Sequence, residues 1–195
     1  MKKLLVLIGL MLVALPAVAG AAEEVKSGTK EGKPYFEASE KTTEQATVIK
    51  VEKASRLVTM RDDLGDTLSI KAGDEVKNFA QIKVGDVVKV TYTEELTIHV
   101  EAAGAPEMTS EKTTEAAKPG EKPAASVTER TKYKATITAI DKKSGTATLK
   151  SYDGEEFVIT PLHPENLDKV KLGELVVFTH TQAVAMSVEK VAKKK

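Results

Sequence analysis

A chain of 195 residues, with 29 basic and 29 acidic side chains and no cysteine, has room for one ordinary domain or two small ones. Zero net charge removes the electrostatic basis for a nucleic-acid partner or a cation buffer. The absence of thiols excludes disulfides, thiolate catalysis and a lipid-modified cysteine.

The first segment reads as an export signal. Lys2 and Lys3 form a positive start, residues 4–15 an apolar run that Pro16 breaks, and Ala17-Val18-Ala19 and Ala19-Gly20-Ala21 are small-residue cleavage sites. Residues 1–22 are therefore expected to be a signal peptide and the mature chain to be periplasmic, with no stable membrane insertion after cleavage. Residues 23–43 are rich in Glu, Lys, Ser, Gly and Thr, too polar to offset their ordering entropy, and read as a flexible leader in which Tyr35 and Phe36 are a stray pair or the seed of a strand added to the first domain.

Order is expected from Ala46. The segment ATVIKVEKASRLVTMRD gives two strands around a turn at residues 53–55, and Asp62-Asp63-Leu64-Gly65 turns into a third strand over residues 67–71. Val76, Phe79 and Ile82 then recur at a helical interval, with Asp74 as a candidate N-cap. IKVGDVVKVTYT follows, a glycine turn feeding a strand in which Val88, Val90 and Tyr92 alternate. Leu96, Ile98 and Val100 continue the parity beyond a bend or hairpin at residues 93–95. These elements make a first repeat over residues 44–101.

Residues 102–131, dominated by Pro, Ala, Glu, Lys and Thr, read as a disordered linker that lets two domains move independently. The pattern then restarts over residues 132–190. ATITAIDKKSGTATLKSYDGEEFVIT overlays the first three strands without a gap, and VKLGELVVFTHT echoes IKVGDVVKVTYT. Ile137 matches Val48, Leu149 matches Met60, Phe178 matches Val90, His180 matches Tyr92 and Met186 matches Ile98. The chain is an internal duplication, closed by a basic tail at residues 191–195.

Strand, strand, strand, short helix, strand, strand is the order of a five-stranded OB barrel, so the expected fold is mainly β: two tandem small barrels, each with a short helix between strands 3 and 4. IKVGDVVKV and TVIKVEKASRLVTM resemble the closing segment and first hairpin of the small periplasmic barrels that carry copper in heavy-metal efflux systems. That resemblance implies the OB-like fold and copper as the associated cofactor. The family's ligands are a His, two closely spaced Met and a Trp, whereas this chain has no Trp and no Met-x-Met. Only Met60 matches a ligand position.

His180 shares the core-facing parity of Phe178, and imidazole with thioether suits copper. His180 and Met186 are thus the candidate metal ligands, provided a turn at Gln182-Ala183 brings them together; on one straight strand they would lie about 20 Å apart. His99 should point outward, and His163 sits in a proline-bounded connector. No nucleophile, base and acid are spaced to form a catalytic set, and no cofactor is required. The expected function is non-enzymatic: an exported tandem-barrel binding or scaffold protein of the periplasm or envelope, acting on an unidentified envelope protein or periplasmic ligand. Two modules on a mobile linker would raise effective concentration for a repetitive partner. The alternative is a periplasmic copper-binding protein.

Overall fold

The computed structural model describes residues 22–73, 76–118 and 120–190. Ten strands form one open, antiparallel sheet. They are β1 (Ala22–Lys30), β2 (Lys33–Glu52), β3 (Leu57–Asp62), β4 (Thr67–Lys71), β5 (Val87–Glu101), β6 (Glu107–Ala116), β7 (Ala124–Asp141), β8 (Thr146–Lys150), β9 (Glu156–Ile159) and β10 (Leu175–Glu189). The main path runs β4-β3-β2-β5-β10-β7-β8-β9, with β1 beside the first part of β2 and β6 beside the first part of β7.

This order reads alike from either end once each strand is exchanged for its counterpart in the other repeat. β5 and β10 meet at the centre, Val88 opposite Val188 and Glu94 opposite Gln182. Glu94 and Gln182 also occupy the same place in the two repeats, so a pseudo-two-fold axis passes between them. Bulges at Ile49 in β2 and Thr138 in β7 are counterparts too; each bends its strand where the short outer strands begin.

Two apolar cores lie on the same side of the sheet. Val48, Val58, Met60 and Val88 build the first, with Phe79, which opens the three-residue 3-10 turn Phe79–Gln81, and Ile82, which follows it. Tyr133, Ala135, Ile137, Leu149, Val176 and Phe178 build the second. Each core takes side chains from the other repeat. Val188 and Met186 of β10 pack in the first, and Ile98 of β5, the counterpart of Met186, packs against the second.

A reciprocal ion-pair clamp reinforces the exchange. Gly85 and Gly173 hold positive φ, 89° and 87°, a conformation glycine takes at no steric cost. The acid after each glycine then turns back on its own loop: Asp86 accepts the Lys83 N–H at 2.8 Å and Glu174 the Lys171 N–H at 2.9 Å. Each acid also receives a lysine of the other repeat. Lys122 donates to Asp86 and, at 2.7 Å, to the Gln81 carbonyl; Lys33 donates to Glu174 at 2.6 Å and to the Lys169 carbonyl at 3.1 Å. Lys33 and Lys122 are counterparts, each followed by proline.

Several expectations are corrected. There are not two barrels but one open sheet, because β5 and β10 run 15 residues each without turning. Residues 93–95 and Gln182-Ala183 are paired strand residues. The expected short helices are 3-10 turns, Phe79–Gln81 and Pro164–Asp168. The expected flexible leader lies in β1 and β2, and the expected disordered linker contains β6 and the start of β7. Only residues 102–106 join β5 to β6, and the shared cores remove the basis for independently moving modules. Asp74, the signal segment over residues 1–21 and the basic tail lie outside the described residues. Among the described residues no helix is long and apolar enough to cross a membrane.

Candidate functional site

Where the axis crosses the sheet the two repeats differ, His180 and Gln182 standing for Tyr92 and Glu94. On the face that carries both cores, alternation along β5 presents Tyr92, Glu94 and Leu96, and along β10 it presents His180, Gln182 and Val184. The antiparallel register sets Tyr92 opposite Val184, Glu94 opposite Gln182 and Leu96 opposite His180. Glu94 therefore has Tyr92 two residues away on its own strand and His180 diagonally across.

Four side chains form one hydrogen-bonded group. His180 Nε2 donates to Glu94 Oε1 at 2.7 Å, Tyr92 Oη donates to Glu94 Oε2 at 2.9 Å, and Gln182 Nε2 donates to Tyr92 Oη at 3.3 Å. Both carboxylate oxygens are thus occupied. Glu94 keeps 17% of its side-chain surface accessible and His180 29%, so the group is sheltered but reachable. Partial burial, the hydrogen bond to Glu94 and the nearby charge of Glu40 push the Tyr92 phenol up to about 12. A phenol held that high is a donor at neutral pH, not a nucleophile.

The row extends across the sheet. Glu40 of β2 is the next neighbour of Glu94, and Glu129 of β7 the next neighbour of Gln182. Glu40 and Glu129 are again counterparts, so four strands present three carboxylates and one amide in line. Glu129 is neutralised by Lys112 of β6 at 2.7 Å. Apolar residues flank the polar row, with Val90 and Val184 39% and 45% exposed.

No family model, curated protein or solved structure matches this chain.

The sequence-derived metal pair is not brought together. His180 and Met186 point to one face of a continuous strand, six residues apart, which is about 20 Å. Met186 packs against the first core and His180 is engaged by Glu94. Met60, 7% exposed, is a core residue. His99 lies on the opposite face to Ile98, as expected, and rests 3.2 Å from Glu101; Lys134, 3.0 Å away, heads the causes that hold the Glu101 carboxyl below its usual range. His163 is paired locally with Glu165 at 3.3 Å. Among the described residues no three His, Cys, Asp or Glu side chains converge as metal ligands; a cation at the centre would have to replace the proton between His180 and Glu94.

In the sequence Glu94 belongs to the polar triplet Thr93-Glu94-Glu95, which reads as a bend or hairpin and so gives Glu94 no partner. The signal that reveals it is the fusion of two alternating runs, 88–92 and 96–100, whose parity is unbroken across Glu94. Equal parity on both sides of a polar triplet is what a single long strand produces and a two-residue turn need not.

Proposed function

We propose that this chain is an exported, non-enzymatic binding or scaffold protein of the periplasm or cell envelope. One observation carries the non-enzymatic part: in the most reactive-looking cluster, Tyr92, Glu94, His180 and Gln182, the Glu94 carboxylate is held by His180 and Tyr92, and among the described residues no hydroxyl nucleophile is hydrogen-bonded to the His180 ring. General acid–base work needs a group within reach of a substrate proton and free to exchange it. A hydrogen-bonded group on an open sheet face, bordered by exposed valines, supports recognition instead. The lysine pairs and shared cores support a rigid platform over two tethered modules.

Two measurements test the reading. Expression of the whole chain with its first 22 residues should yield an envelope-fraction protein shortened by the signal segment; full-length protein retained in the cytoplasm would overturn the export assignment. Capture from envelope extract by the mature chain should weaken when Glu94→Gln and His180→Ala are combined, since together they dismantle the central group without touching either core. Unchanged capture would move the binding surface elsewhere.

Copper binding is the alternative, now centred on His180 with Glu94 and without Met186. Titration of Cu(I) and Cu(II), with His180→Ala as control, checks it. Binding indifferent to that substitution removes the reading.

A further inference from the structure

The outermost strands of the sheet, β4 and β9, each leave one edge without a pairing strand. Such edges are templates for another chain unless they are covered or made incompatible. β4 is uncovered: all five residues are exposed, Leu68 at 60% and Ile70 at 45%. Leu68 and Ile70 lie opposite the buried Met60 and Val58, so they belong to the core side of the sheet. Their counterparts on β9, Phe157 and Ile159, pack against the second core.

The reason for the difference is compositional. In the second half Tyr133 gathers Tyr152, Phe157 and Phe178 around it, with ring centroids 6.0–6.4 Å away. The first half has Glu44, Asp63, Leu68 and Val90 at those four places. It is left with an apolar margin that its own side chains do not cover.

We propose that a second copy of this chain covers it, by adding its β9 antiparallel to β4. One register satisfies both faces. Ile70 then lies opposite Phe157 of the second copy and Leu68 opposite Ile159, all on the core side. Lys71 lies opposite Glu156 on the other side. A slip of one residue would put the apolar pairs on opposite faces. A slip of two would set Ile70 against Glu155 or Lys71 against Val158. The charges are complementary and uncommitted: among the described residues neither Lys71 nor Glu156 is in an ion pair. Lys150, opposite Glu156 within the chain, would leave that carboxylate between two ammonium groups.

Strand direction decides the form of the assembly. Every pairing on the main path is antiparallel, so β4 and β9 of one chain run oppositely. A copy added through β9 therefore keeps the orientation of the first and offers its own β4 to a third. The contact is heterologous, and the product is an open row of chains in one continuous sheet. The proposal stands on the two edge strands and not on the central polar group.

The test uses the mature chain in sedimentation or light scattering over a wide concentration range. The average mass should rise without a plateau at the dimer. Lys71→Glu and Glu156→Lys should each, alone, weaken association about tenfold by setting like charges opposite one another. Both sites are exposed, so unchanged circular dichroism confirms that folding survives. Mixing the two variants should restore assembly, because each then finds its opposite charge at both edges. A chain monomeric throughout, growth that stops at a dimer, normal association of Glu156→Lys alone, or failure of the mixture to assemble would each overturn the proposal.

Discussion

Tyr92 carries an acid–base property that can be read directly. Its phenol is pushed up to about 12 by burial, the hydrogen bond to Glu94 and the nearby Glu40, against about 10 in an unfolded chain. The folded state thus binds this proton more tightly. The stabilisation is fully present below about pH 10 and is lost as pH rises through about 12. A phenolate absorbance titration should show a component near the top of the alkaline range that Tyr92→Phe removes; if the variant keeps the component, it belongs to another tyrosine. The two lysine clamps are unequal in a comparable way. Lys122 and Asp86 are 21% and 7% exposed, Lys33 and Glu174 31% and 13%. Removing one partner from a sheltered pair strands the other charge, at a cost of about 1–3 kcal/mol for a partly buried group. Lys122→Met should lower stability in urea by about that amount, and by more than Lys33→Met does; the reverse order would refute the ranking by burial.

At the scale of strands, the polar segments before each repeat are the instructive ones. β2 and β7 pair with β5 and β10 from Tyr35 to Thr47 and from Ala124 to Thr136. Amide hydrogens over these residues should exchange slowly, like those of the central strands, and residues 33–45 should resist protease; rapid exchange there would contradict the pairing. The short strands β3 and β8 were legible in the sequence because one of their faces is buried, which writes the two-residue alternation of apolar side chains. Over Ala38 to Thr43 and Val127 to Lys132 no apolar period exists, since neither face of that part of the sheet lies under a core. Composition alone then resembles disorder. The repeat still betrays it: Lys33-Pro34, Glu40-Lys41-Thr42 and Ala46-Thr47 match Lys122-Pro123, Glu129-Arg130-Thr131 and Ala135-Thr136. The central polar group was half legible. The substitution of Tyr92 by His180 and of Glu94 by Gln182 marks the place, but only the register between β5 and β10 makes Glu94 the partner of His180.

For the whole molecule, the exchange of Met186, Val188 and Ile98 between cores predicts a single unfolding event. Val48 is fully buried in the first core, and trimming it to alanine should cost about 2–3 kcal/mol. The tyrosine cluster of the second core, which reports only its own half, should register the loss in full. If, in a Tyr35→Phe, Tyr92→Phe background that leaves only Tyr133 and Tyr152, tyrosine fluorescence instead keeps its midpoint while circular dichroism splits into two transitions, the halves are independent.

The axis between Glu94 and Gln182 also bears on how such a chain can change over evolutionary time. A residue on the two-fold axis of a dimer of identical chains must tolerate meeting itself, and two glutamates placed opposite each other repel. Joining both halves in one chain lifts that restriction, because a codon on one side of the axis can change while its counterpart stays. Glu94 facing Gln182, with His180 in the place of a second Tyr92, is an arrangement that no pair of identical halves could encode.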